Sequence, residues 1–321
     1  MLNKPNFFCI SPSLHYLCTS HDMIIRMKNK PSTLKEGLAV GAGLVVIGLL
    51  LQLGIGPVTW ELFAWPVNII TVGCWLLATV LLALCCHRSP VVQFLGSHAA
   101  AIPALGYALL LTVIMGLTEQ HASGTWLSNM LRFWPFVLVY CWIVVILSLV
   151  VVRRLMRLCR SRSLRDVAFL LNHVGLLVAL VCATLGNPDM KRLKMICTYG
   201  EPEWRAIDEQ SHVVELPLSI ELKQFILEEY ADERMPKRFA SDILIQTASG
   251  QQFPATVEVN KPAEVEGWKI YQYGYDQQMG ASSQVSIFEL VTDPWLPAVY
   301  TGIYMLLAGA FCMLIFGVRK S

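Results

Sequence analysis

Residues 165–185 read RDVAFLLNHVGLLVALVCATL, and from Val167 to Leu185 the run contains no Asp, Glu, Lys or Arg. A hydrocarbon layer about 30 Å thick needs roughly 20 apolar residues of helix, because no backbone amide can be left unpaired in lipid. This run meets that requirement, and five others meet or approach it: approximately 38–55, 65–86, 99–117, 133–152 and 295–318. The run at 99–117 is the shortest signal, with Pro103 one turn inside its start. Proline is tolerated in a span where neighbouring helices re-satisfy the backbone. The whole chain agrees with this reading. Its 321 residues are 55% hydrophobic and 15% charged, against roughly 45–50% and about 25% in soluble domains.

Lys and Arg in short loops mark the cytoplasmic side. Arg26, Lys28, Lys30 and Lys35 precede the first run, Arg153, Arg154, Arg157, Arg160, Arg162 and Arg165 separate the fourth from the fifth, and Arg319 and Lys320 close the chain. With six spans these groups share one side, so both termini are expected inside and residues 186–294 outside. The expected organisation is therefore a tail at 1–35, a five-helix transmembrane region at 36–185, a periplasmic β-rich domain at 186–294, and a sixth transmembrane helix with its tail at 295–321. Trp60, Trp65, Trp126, Trp134 and Trp295 fall near the outer ends, as interfacial anchors do. The Arg153–Arg165 cluster reads as a topology determinant that also meets anionic lipid headgroups. The stretch before Met27 is too poor in apolar residues for a signal peptide; with Met23 and Met27 as alternative starts, His15 and His21 carry little weight.

The outer segment has a different character. Of 23 acidic residues in the chain, 18 lie between Asp189 and Asp293. It opens with polar loop material and then alternates with a strand period at 213–222, 242–247, 256–259, 268–273 and 284–290. A small, mainly antiparallel β-domain is expected, with 223–233 readable as strand or helix. Nine of the ten cysteines lie in the N-terminal tail, a basic loop or apolar runs, and only Cys197 falls in the polar region, so a disulfide framework is excluded there. Nucleic-acid binding is disfavoured, because the dense basic cluster is short and sits between apolar runs.

His173 is the residue that stands out. Eight positions past Arg165, it lies about 12 Å along the helix at 1.5 Å per residue. An imidazole at that depth is costly unless used, and a neutral imidazole is a standard axial ligand of haem iron. The competing reading is a neutral ring hydrogen-bonded to another helix, with Asn172 beside it making a second interhelical contact. His87 and His98 sit at inner ends of spans and read as solvated. His121, in the outer loop near Trp126, is a candidate to cap a cofactor from the outer face, or a solvated loop residue. His212 lacks a second ligand at metal spacing and reads as structural. The sequence has no Cys-x-x-Cys-His, no phosphate-binding glycine loop, no Gly-x-Ser-x-Gly and no His-Glu-x-x-His, which removes covalent haem of its own, nucleotide use and common hydrolase chemistry.

Asn172-His173-Val174-Gly175, Phe239-Ala240-Ser241-Asp242, Val259-Asn260-Lys261-Pro262, Gly267-Trp268-Lys269-Ile270-Tyr271-Gln272 and Asp293-Pro294, in that order, resemble the ResB family, also called CcsB, of the system II cytochrome c maturation pathway. The likeness covers roughly 165–318, in a variant with a shorter outer domain and more preceding spans than the family usually has. The resemblance implies a partner of the CcsA type, haem b transported or transiently bound, delivery to apocytochrome c, and a haem-ligand role for His173. It implies a bacterial inner-membrane location and at most one component of a cytochrome c synthase, since the tryptophan-rich motif and external histidine pair of the CcsA-type partner do not occur here. Two other functions stay open: a haem b electron-transfer subunit of a membrane oxidoreductase, and a membrane-anchored periplasmic binding module without cofactor.

Overall fold

The computed structural model describes residues 33–120, 126–161, 163–230 and 233–318. Among them, six helices are long and apolar enough to cross a membrane. The chain runs through α1 (Leu34–Gly54), α2 (Val67–Cys85), a short α3 (Pro90–Leu95), α4 (His98–Leu117), α5 (Trp134–Ser161) and α6 (Leu164–Gly186), then eight strands, then α7 (Leu296–Val318). It divides into two compact units: 1–59, 72–177 and 306–321, which hold most of the helical bundle, and 60–71 with 178–305, which hold the sheet and the helix ends next to it in sequence.

In the first unit α1 starts at a capping box. Thr33 Oγ1 accepts the Glu36 N–H at 3.4 Å, and Glu36 returns a carboxylate oxygen to the Thr33 N–H at 3.3 Å, satisfying two donors that a helix start leaves orphaned. One face of α1 is made of glycine where other helices approach. Gly41 lies under the Tyr107 ring, whose hydroxyl donates to the Leu38 carbonyl at 2.9 Å, and Gly48 lies against Pro135. Without side chains at these points the backbones close in, which is how helices gain dispersion energy in lipid. Pro103 removes the amide that would have bonded the Ala99 carbonyl, and that freed oxygen packs against Gly37. The fourth span is the hub: 56% of its apolar window is buried, against 22% or less in each of the others. Trp75 on α2 donates to Ser148 on α5 at 3.1 Å, and Gln52 accepts the Trp134 amide at 3.2 Å.

The second unit is one eight-stranded antiparallel sheet in the order β5-β4-β3-β2-β1-β8-β7-β6. Its strands are β1 (Lys191–Thr198), β2 (Pro202–Ile207), β3 (Val213–Tyr230), β4 (Glu233–Thr247), β5 (Gln252–Glu258), β6 (Ala263–Val265), β7 (Trp268–Tyr275) and β8 (Val285–Thr292). The expected antiparallel β-domain is present. The polar opening of this segment is not loop, however, but two strands. Leu193, Met195 and Cys197 alternate with exposed neighbours, and this period of two gives β1 an inner face despite its three cations. Residues 223–230 continue β3 rather than forming a helix, because they pair with β4 as far as Tyr230↔Glu233. Inner-face residues of seven strands, among them Met195, Ala206, Ile220, Ile245, Val257, Ile270 and Phe288, form one core, and β5 also approaches β6 and β7 so that the sheet curls on itself.

Burial, with the Glu203 charge adding to it, pushes the Cys197 thiol up to about 12. In an unfolded chain the thiol titrates near about 8.5. The folded state therefore keeps a proton that the unfolded state loses: this contribution is whole below about pH 8.5 and falls, by up to about 1.4 kcal/mol per unit, as pH rises toward about 12. Cys197→Ala is expected to make alkaline unfolding shallower over that window, measured by thermal melts of the full chain in detergent.

Strands β1 and β8 pair throughout, from Lys191↔Thr292 to Thr198↔Val285. The segment leaving α6 and the one entering α7 thus run side by side. Asp189 ties the helix ends of this unit together: Oδ1 accepts the Trp65 amide, and Oδ2 accepts Asn68 Nδ2 and the Trp295 indole N–H, each at 2.7 Å. The fully buried Asn68 also donates to the Leu185 carbonyl at 3.0 Å. Hydrogen bonds to a charged group contribute about 1.5–3 kcal/mol, and buried donors left without a partner cost about as much. Asp189→Ala is expected to destabilise the chain by roughly 2–4 kcal/mol, read as a lower melting temperature, with Asp189→Glu less damaging.

Candidate functional site

The site is built on α6. His173, half-buried, is the tenth residue of this helix. Its Nδ1 lies 3.0 Å from the Phe169 carbonyl, one turn back on the same helix. A carbonyl only accepts, so this contact is made by an Nδ1–H, which in an uncharged ring leaves the lone pair on Nε2. The Phe169 ring stacks on the imidazole, centroids 3.7 Å apart and planes 17° from parallel. The ring is oriented from within one helical turn. The acceptor of this contact belongs to α6 itself rather than to another helix.

Asn172 does make the anticipated interhelical contact. Its Nδ2 donates to the Leu306 carbonyl on α7 at 2.9 Å, and Gly309 of α7 lies directly against the Asn172 backbone. This contact anchors α6 one residue from the imidazole.

Sequence reasoning missed the elements beneath the ring. Arg154 Nη2 meets Asp166 Oδ1 at 2.7 Å, and the Arg154 guanidinium carbon stands 4.6 Å from the Phe169 ring centroid. Asp166 is buried. Arg154 thus packs inside the bundle, and Arg153 donates to the Val92 carbonyl at 2.7 Å, so these two members of the basic cluster are committed to protein rather than to lipid headgroups alone. The signal was available. Asp166 is the lone acid amid a run of arginines, and Phe169 stands four residues before His173, the spacing that stacks side chains on a helix. Trp295 and Trp134 likewise spend their indole donors on protein, on Asp189 and on the Gly56 carbonyl at 2.8 Å, beyond any anchoring role.

The other described histidines are not gathered at this ring. His87 is exposed near the end of α2, its Nδ1 3.1 Å from the Leu84 carbonyl, and His98 is exposed at the start of α4. His212 pairs with Asp208, which accepts both its backbone amide at 2.8 Å and its ring nitrogen at 3.2 Å. The His212 amide is the first cause that holds the Asp208 carboxyl below its ordinary value. This arrangement stabilises a turn, a contact the sequence did not show. His121 lies outside the described residues. Among the described residues no group of three or more His, Cys, Asp or Glu side chains is placed to hold a metal ion.

In chain order, a set of apolar helices is interrupted before the last of them by an antiparallel sheet, and the helix leading into that sheet carries the oriented imidazole of His173. Residues 160–286 match the model of the ResB-like family. The match spans α6 with His173 and runs through the sheet to the start of β8. No curated protein sequence matches the chain. Among solved structures, a cytochrome c haem lyase, CcmF, is similar at 14% sequence identity and a TM-score of 0.34, over 76% of this chain and 44% of that one. This chain therefore spans less than half the length of that protein.

Proposed function

We propose that this chain is the ResB-like membrane component of cytochrome c maturation, which carries haem b outward together with a CcsA-type partner and presents it to apocytochrome c. The observation that carries the reading is the contact of His173 Nδ1 with the Phe169 carbonyl at 3.0 Å, which in an uncharged ring leaves the Nε2 lone pair for a haem iron. His173 would hold the iron from this chain, a partner helix would supply the other ligand, and His121 would be the candidate to cap the group from the outer face. The haem, when bound, would supply the redox-active iron. The chain itself orients the imidazole, and the apolar bundle withholds water from it.

On this reading the helices lie in a bacterial inner membrane with both termini cytoplasmic, which matches the placement of Lys and Arg. Residues 36–185 and 295–318 are then the membrane part, and the sheet domain at 186–294 stands in the periplasm to position apocytochrome. The chain acts as one component of a synthase rather than as a complete enzyme. In cells lacking this chain, the wild type is expected to restore cytochrome c assembly and His173→Ala to leave it at background. Restoration by residues 186–294 on an unrelated membrane anchor would show the transmembrane histidine to be dispensable.

A further inference from the structure

Arg154 sits one ring away from His173, and Asp166 pairs with Arg154. Asp166 holds the Arg154 guanidinium at 2.7 Å, the guanidinium covers the Phe169 ring at 4.6 Å, and that ring stacks on the imidazole at 3.7 Å. Arg154 Nε is buried and makes no hydrogen bond in the described structure, so part of the cation's donor capacity is unspent. A planar guanidinium can cover an aromatic face in a way an ammonium cannot. Charges this close to a site of low dielectric also act on it strongly.

Resting on the reading of His173 as a haem ligand, we propose that Arg154 and Asp166 are its positioning residues: through Phe169 they fix the plane of the imidazole, and their opposed charges set the reduction potential of the iron it binds. A cation near the iron favours the reduced state, which carries one more electron; an anion disfavours it. Removing the Arg154 charge therefore lowers the midpoint potential, and removing the Asp166 charge raises it. A purely structural role gives no such opposition of sign.

The test uses the full chain co-purified with its partner, with midpoint potentials from spectroelectrochemical titration. Arg154→Gln is expected to shift the potential down, Asp166→Asn to shift it up, and the double variant to fall between them. Arg154→Lys keeps the charge and should stay nearer the wild-type potential while losing the stacked contact. A second readout needs no haem. In the apo chain labelled with 15N-histidine, wild-type His173 is expected as the single Nδ1–H tautomer, with Arg154→Gln and Arg154→Lys admitting the Nε2–H form. Shifts of one sign in both charge variants, an unmoved potential with haem retained, or an unaltered imidazole spectrum in Arg154→Gln and Arg154→Lys would each overturn the proposal. The underlying reading fails separately, through retention of haem by His173→Ala, and the apo spectrum then decides the positioning role alone.

Discussion

His173→Ala, in the complex co-purified with its partner, is expected to lose the b-type haem spectrum by tenfold or more. Changes to groups that merely orient a metal ligand typically cost 10–100-fold in affinity, and removing the ligand itself should cost no less. The alanine leaves the space of an imidazole ring beside Phe169, whose carbonyl loses its donor. Added imidazole can refill that space, donate to the same carbonyl and offer its second nitrogen to the iron, so partial recovery of the spectrum is expected at millimolar concentrations. His173→Gln, which lacks an aromatic nitrogen lone pair, should behave like the alanine variant before rescue. An unchanged absorbance in His173→Ala removes this residue from haem handling.

Gly309→Leu is expected to destabilise the chain by roughly 2–4 kcal/mol, the range for overpacking with a lost contact. A β-carbon at this position would overlap the backbone nitrogen and Cα of Asn172. Neither can yield as a flexible side chain would, so α7 must move away, and the Asn172 to Leu306 hydrogen bond at 2.9 Å goes with it. Because Asn172 adjoins His173, the displacement should also broaden or shift the haem spectrum. Gly43 and Gly106 provide the control. They lie in α1 and α4 with open space where a methyl would go, and alanine at either should be neutral or stabilising by up to about 1 kcal/mol. Equal melting temperatures for Gly309→Leu and Gly43→Ala would show that the α6–α7 contact carries no stability.

Much of the architecture was legible because lipid imposes a local rule. A span must satisfy its own amides, so length and apolarity suffice to find it, and even the helix interrupted by Pro103 was recognisable. Strand segments with a clear period of two were equally legible, as at 242–247. Legibility failed where charge masked the period. Lys191, Arg192 and Lys194 made β1 resemble a loop although Leu193, Met195 and Cys197 alternate beneath them. Between Lys223 and Tyr230 local preference does not separate strand from helix, and pairing with β4 decided the outcome. At the candidate site, the sequence singled out His173 by the cost of an imidazole at that depth. It did not show which nitrogen is spent, since that depends on the ring's rotamer against the Phe169 carbonyl.

By itself, then, the sequence determined the six apolar helices, the insertion of an antiparallel domain before the last of them, and the one imidazole set within a helix that enters it. Each of these follows from neighbours along the chain, through hydrophobic length, strand period or depth from a charged boundary. Only the tertiary structure decided that β1 lies between β2 and β8, that Asp189 gathers Trp65, Asn68 and Trp295, and that Arg154 reaches Asp166 and Phe169. Those contacts join residues far apart in sequence or set by side-chain rotamers, and they form because a buried donor or charge is too costly to leave unpaired wherever its partner lies along the chain.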